Sequence, residues 1–144
     1  MERELASTEE LAAEAGMLAA RLRPKEGGAT LVTLSGELGA GKTAFVQALA
    51  RALGVTEAVT SPTFVLEKIY ALPVGGSFAR LAHIDAYRLE GAHALAPLGF
   101  AELMKDSGTL VALEWPEKVQ AELPAADVAI RLAVAGEGRV IAYG

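Results

Sequence analysis

Eight consecutive residues, Gly36-Glu37-Leu38-Gly39-Ala40-Gly41-Lys42-Thr43, follow the spacing G-x-x-x-x-G-K-[ST]. Glycines at these positions let successive backbone N–H groups curl around phosphate oxygens, because no Cβ blocks the approach. Such a loop works only between a strand and a helix, since the free amides and positive end of the helix complete the anion site. Both are expected here. Residues 30–34, Thr-Leu-Val-Thr-Leu, form a short β-branched, apolar run that predicts a buried strand. Val46, Leu49 and Leu53 recur at helical spacing and predict a helix over 42–53, with Gly54 as its C-terminal cap. Lys42 adds a mobile positive charge for β- and γ-phosphates, and Thr43 a hydroxyl for Mg²⁺. Glu37, Leu38, Gly39, Ala40, Gly41, Lys42, Thr43 and Ala44 are therefore the candidate nucleotide contacts.

The remaining chain reads as alternating elements. Ser7-Thr8-Glu9-Glu10 has the S-x-x-E form of a capping box, and Leu11, Ala15, Leu18 and Leu22 follow on one helical face. Strands are expected at 64–72, 77–84 and 109–113, with a turn at 73–76. Residues 91–106 read as helix in pieces, interrupted by Pro97 and Gly99, and 117–122 as a short helix. Residues 127–134 and 139–143 read as a closing hairpin. Strands mixed with helices favour an α/β layered sheet. With 144 residues, no repeat and no linker, one domain over 1–144 is expected.

Composition narrows the chemistry. There is no cysteine, so disulfides, thiolate nucleophiles and sulfur-bound zinc are excluded. His83 and His93 are the two histidines, too few for a histidine-rich metal cage. The net charge of −5 provides no global attraction for nucleic-acid backbones. No apolar run has the ~18–20 residues of a membrane span, and the acidic start lacks a signal-peptide core. A soluble intracellular chain is the expectation.

A phosphate loop needs an acid at a neighbouring strand end to complete the Mg²⁺ shell. Two carboxylates qualify: Glu114 after Leu110-Val111-Ala112-Leu113, and Asp85 after Leu81-Ala82-His83-Ile84. Either fits the metal, and the other then fits the attacking water; sequence leaves the two roles open. The hydroxyls of Thr60, Ser61 and Thr63 suit either a γ-phosphate-sensing switch loop or an ordinary Ser-Pro turn. His83 reads as a half-buried strand residue, and His93 as surface. Arg88 suits either a phosphate contact or plain solvation. Trp115 follows Glu114, so if that acid is in the site the indole is close to it. There is no asparagine and no Thr-Lys-x-Asp element of the kind that selects guanine, which favours ATP over GTP.

Together these residues resemble one family. Gly36–Thr43, Ser61-Pro62-Thr63-Phe64, His83-Ile84-Asp85-Ala86-Tyr87-Arg88-Leu89 and Glu114-Trp115-Pro116-Glu117 stand in the order and rough spacing of the TsaE (YjeE) family, P-loop ATPases of bacterial tRNA threonylcarbamoyladenosine synthesis. The resemblance spans nearly the whole chain. Ala86 is a departure, since many members have a larger apolar residue there.

The resemblance implies a single P-loop domain with a mostly parallel central sheet flanked by helices and antiparallel strands at one side. It implies a cytoplasmic, Mg²⁺-dependent ATPase, weak alone, that supports modification of adenosine 37 in tRNA. Such a protein resets a TsaD–TsaB complex and meets tRNA indirectly through it. By position, Lys42 and Thr43 would serve ATP and Mg²⁺, Thr63 the switch, Asp85 and Glu114 the metal and water, and Trp115 the nucleotide-site wall. Two other readings fit the same loop. One is a small-molecule kinase, although no arginine-rich lid is evident among Arg80, Arg88, Arg131 and Arg139. The other is a nucleotide-gated binding module that does not hydrolyse.

Overall fold

A computed structural model describes residues 2–59, 66–91 and 93–144. Ser7 caps the first helix as its spacing predicts. Its side chain accepts the Glu10 amide at 3.2 Å, and α1 runs Thr8–Arg21. Leu11, Ala15 and Leu18 are buried on the face that packs against α2, Lys42–Ala52.

Among the described residues, seven strands form one sheet: β1 (Glu2–Leu5), β2 (Thr30–Ser35), β3 (Glu67–Ala71), β4 (Arg80–Asp85), β5 (Thr109–Glu114), β6 (Val128–Ala135) and β7 (Gly138–Tyr143). Their spatial order is β1-β7-β6-β2-β5-β4-β3. The four central strands, β6, β2, β5 and β4, run parallel. β7 and β1 add to one side antiparallel, and β3 adds to the other antiparallel. Antiparallel strands thus flank the parallel core at both edges. The cause at β3 is local: the link through Pro73 and Gly76 to β4 is too short for the crossover that a parallel pair requires.

Period-2 alternation divides the core between the two faces of the sheet. Val32, Leu34, Leu110 and Ala112 pack with α1 and α2, while Leu31, Val111, Leu113 and Ile84 pack with Leu95 and Phe100 on the opposite face. β5 is buried along its full length, as a central strand covered on both faces must be.

Some local expectations are refined. Residues 96–98 form a 3₁₀ turn that contains Pro97, and Gly99, at φ +71°, separates it from the short helix α3, Phe100–Leu103. The expected helix at 117–122 resolves into two 3₁₀ turns, Pro116–Lys118 and Gln120–Glu122. β1 was not expected at all. Among the described residues, no helix is long and apolar enough to cross a membrane.

Candidate functional site

The carboxyl ends of parallel strands are where open α/β sheets bind ligands. At that end β2 leads into the glycine loop. In the sheet register, Glu114 lies opposite Leu34 of β2 on one side and Asp85 of β4 on the other. The two acids predicted from separate strand ends are therefore neighbours, Glu114 one strand and Asp85 two strands away from the strand that leads into the loop.

The loop needs its glycines. Gly36, Gly39 and Gly41 all have positive φ, and a Cβ on Gly36 would stand 2.2 Å from the Leu132 carbonyl oxygen. Gly41 caps α2 with no side-chain hydrogen bond to its first-turn amides. That leaves donors at a positive helix end, the arrangement that binds an anion.

Lys42 is buried and folds back over the loop. Its Nζ donates to Gly36 O at 2.5 Å and to Glu37 O at 2.9 Å, and lies 4.1 Å from the centroid of the Trp115 ring. Desolvation lowers its pKa, against the opposing pull of Glu114, Glu117, Asp85 and Glu37. Thr43 Oγ1 lies 3.0 Å from each carboxylate oxygen of Glu114, to which it donates. Glu114 is 2% exposed, and its Oε2 also lies 2.6 Å from His83 Nε2. Asp85 Oδ1 accepts the Tyr87 amide at 3.0 Å; burial raises the Asp85 pKa, and the Glu114 charge adds to the rise.

These groups border a cavity of about 540 Å³. Leu38, Gly39, Gly41, Lys42, Thr43 and Ala44 line it on the loop side, and Asp85, Glu114 and Trp115 from the strand ends. Glu37 is exposed beside it, and Ala40 is packed into the core. Leu66 and Trp115 are the non-glycine residues with positive φ among those described, and both line this cavity. A left-handed conformation costs an L-residue roughly 1–2 kcal/mol, so backbone strain is concentrated here.

No cluster of three His, Cys, Asp or Glu side chains that could hold a metal occurs among the described residues. Thr43, Asp85 and Glu114 instead offer a partial set of hard oxygen donors. Such a set suits Mg²⁺ when phosphate oxygens and water supply the rest.

The model of the family described as threonylcarbamoyl adenosine biosynthesis protein TsaE matches residues 5–141. The chain belongs to the TsaE family. The TsaE of Treponema pallidum is 40% identical over 109 residues, covering 76% of each chain. The TsaE of Bacillus subtilis is 35% identical over 129 residues, covering 90% of this chain and 75% of the relative. The crystal structure of Bacillus subtilis YdiB superposes with a TM-score of 0.78 at 30% identity, covering 99% of this chain and 83% of the other. The family works in tRNA threonylcarbamoyladenosine biosynthesis.

In this TsaE chain the four motifs meet the structure unequally. The loop at 36–43 and the ends of β4 and β5 converge as described. Thr63 and its Ser-Pro-Thr-Phe stretch lie outside the described residues. His83 corrects the sequence reading: it is fully buried, and it contacts Glu114. The signal was the strand period, which places His83 and Asp85 on one face of β4. His93 is exposed, as expected. Arg88 lines the cavity. So does Arg139, which sequence reasoning counted but did not place; its Nη2 donates to Gly39 O at 3.0 Å. It arrives because β6 pairs in parallel with β2, so the hairpin to β7 turns at the loop's end of the sheet.

Proposed function

We propose that this TsaE-family chain is a Mg²⁺-dependent ATPase, a single domain over 1–144, acting in the cytoplasm. ATP sits with its phosphates in the loop at 36–43, and hydrolysis resets a TsaD–TsaB complex that modifies adenosine 37 of tRNA. The observation that carries this reading is the grouping of Lys42, Thr43, Asp85 and Glu114 around one cavity at the carboxyl end of the sheet.

Lys42 leaves its two carbonyl partners to meet the β- and γ-phosphates; its desolvation makes an anionic partner favourable. Thr43 and Glu114, already hydrogen-bonded to each other, stand on the metal side, and Asp85 is left to orient water. Mg²⁺, when bound, neutralises charge on the β- and γ-phosphoryl oxygens. The water oxygen bonds to the γ-phosphorus, the bond to the β–γ bridging oxygen breaks, and ADP and phosphate leave. Asp85 holds the water's proton, a role that its raised pKa suits. Trp115 walls the phosphate end of the cavity, and Thr63 serves the switch. The acidic chain suits a protein partner, with tRNA held mainly by others.

Titrating Trp115 fluorescence with ATP, ADP and GTP, with and without TsaD–TsaB, tests this together with phosphate release. Expected are ATP and ADP binding, little response to GTP, and slow turnover that the partners stimulate. Absence of ATP binding, or turnover indifferent to the partners, overturns the proposal.

A further inference from the structure

His83 has no surface exposure and no part in the chemistry above. It points from β4 toward β5, where its register neighbour is the small residue Ala112 and Glu114 lies two residues further on. Its Nε2 lies 2.6 Å from Glu114 Oε2, while its Nδ1 is buried with no hydrogen-bond partner among the described residues. That asymmetry fixes the tautomer. A proton on Nε2 makes the Glu114 contact a donor–acceptor pair and leaves only a lone pair unmet at Nδ1. A proton on Nδ1 alone would bury an unpaired donor and set two acceptors face to face.

Glu114 is thus held from two directions. Thr43 of α2 donates from one side and the imidazole from the other. A glutamate has three rotatable side-chain bonds, so a carboxylate at a strand end needs such partners to keep one orientation. We infer that His83 is a positioning residue whose Nε2–H fixes the Glu114 carboxylate against Thr43. The inference rests on the ATPase reading above, since Glu114 matters only if the cavity takes nucleotide and metal.

The full-length chain carrying His83→Met or His83→Gln tests it. Methionine fills much of the ring's volume without a donor; glutamine returns an amide N–H near the Nε2 position. Partners of a metal-site carboxylate typically matter about 10–100-fold. His83→Met is therefore expected to lower kcat, and to weaken the gain in ATP affinity that Mg²⁺ brings, by about 10-fold or more. ATP affinity in EDTA, read from Trp115 fluorescence, should stay within about threefold, and His83→Gln should recover kcat to within about threefold of the parent. Histidine ¹⁵N spectra of the folded parent should show the proton on Nε2.

A methionine variant with parental turnover overturns the inference. So does a glutamine variant no better than methionine, or a parental proton on Nδ1 alone. Should His83→Met fail to fold, the glutamine variant and the ¹⁵N spectrum decide. A parent chain that binds no ATP, or never releases phosphate, is a different result: the ATPase reading has failed, and this inference with it.

Discussion

Lys42 Nζ lies 4.1 Å from the centre of the Trp115 ring, and both residues line the same cavity. Trp115 reaches that position through a left-handed backbone turn, φ +62°, immediately after Glu114. The lysine is buried against an aromatic face and two loop carbonyls, partners weaker than a phosphate. The charge is stored beside the place where an anion would put it to use.

Lys42→Ala should therefore weaken ATP binding while the chain stays folded. A hydrogen bond to a charged group contributes about 1.5–3 kcal/mol, so the expected loss is about 10- to 150-fold in affinity. Isothermal titration calorimetry reads it directly. Parental affinity in this variant would place the phosphates elsewhere.

Asp85→Asn should separate stability from turnover. Burial, with help from Glu114, raises the Asp85 pKa in the folded chain. The native state then holds a proton that the unfolded state has already lost, so stability falls as pH rises through the window just above the ordinary carboxylate range. The neutral amide escapes that penalty. The expected outcome near pH 7 is a melting temperature equal to or above the parent's, with turnover down about 100-fold or more. A variant less stable and equally active would contradict both halves.

The parts of the site legible in the sequence are those fixed by near neighbours along the chain. Gly36 to Thr43 announces itself because strand, loop and helix follow one another, and Glu114 because four apolar residues end in an acid. His83 and Arg139 depend on strand order. Nothing local indicates that β4 lies beside β5 in the register that brings His83 to Glu114. Nor does it show that β6 lies beside β2, which delivers Arg139 to Gly39. β1 escaped for a different reason. Glu2, Arg3 and Glu4 hide an edge strand, because edges are kept charged to discourage further pairing.

The loop's glycines should differ sharply in tolerance. A Cβ at Gly36 meets the Leu132 carbonyl oxygen at 2.2 Å, backbone against backbone, whereas a Cβ at Gly39 meets nothing within 4 Å. Gly39→Ala pays only for its positive φ, about 1–2 kcal/mol. Gly36→Ala must also displace β6, and a cost of about 3 kcal/mol or more is expected. Urea unfolding of the two variants gives the ranking; equal midpoints would mean that β6 does not press on the loop as described.

The far side of α1 carries a polar lock with its own pH signature. Glu14 is 1% exposed, accepts from the Tyr143 hydroxyl at 2.8 Å, and pairs with Arg3 at 3.2 Å, so helix, final strand and first strand meet at one carboxylate. Burial raises the tyrosine pKa above its ordinary value, and the Glu14 hydrogen bond and charge raise it further. In alkali the unfolded chain loses the phenolic proton first, near pH 10, while the native state keeps it. Stability then falls as pH rises above about 10. Tyr143→Phe should cost about 1–3 kcal/mol at neutral pH by leaving a Glu14 oxygen without its donor. It should also flatten the alkaline decline. Denaturant unfolding of parent and variant from pH 7 to 11 measures both, and a parallel decline in the two chains would show that the loss arises elsewhere.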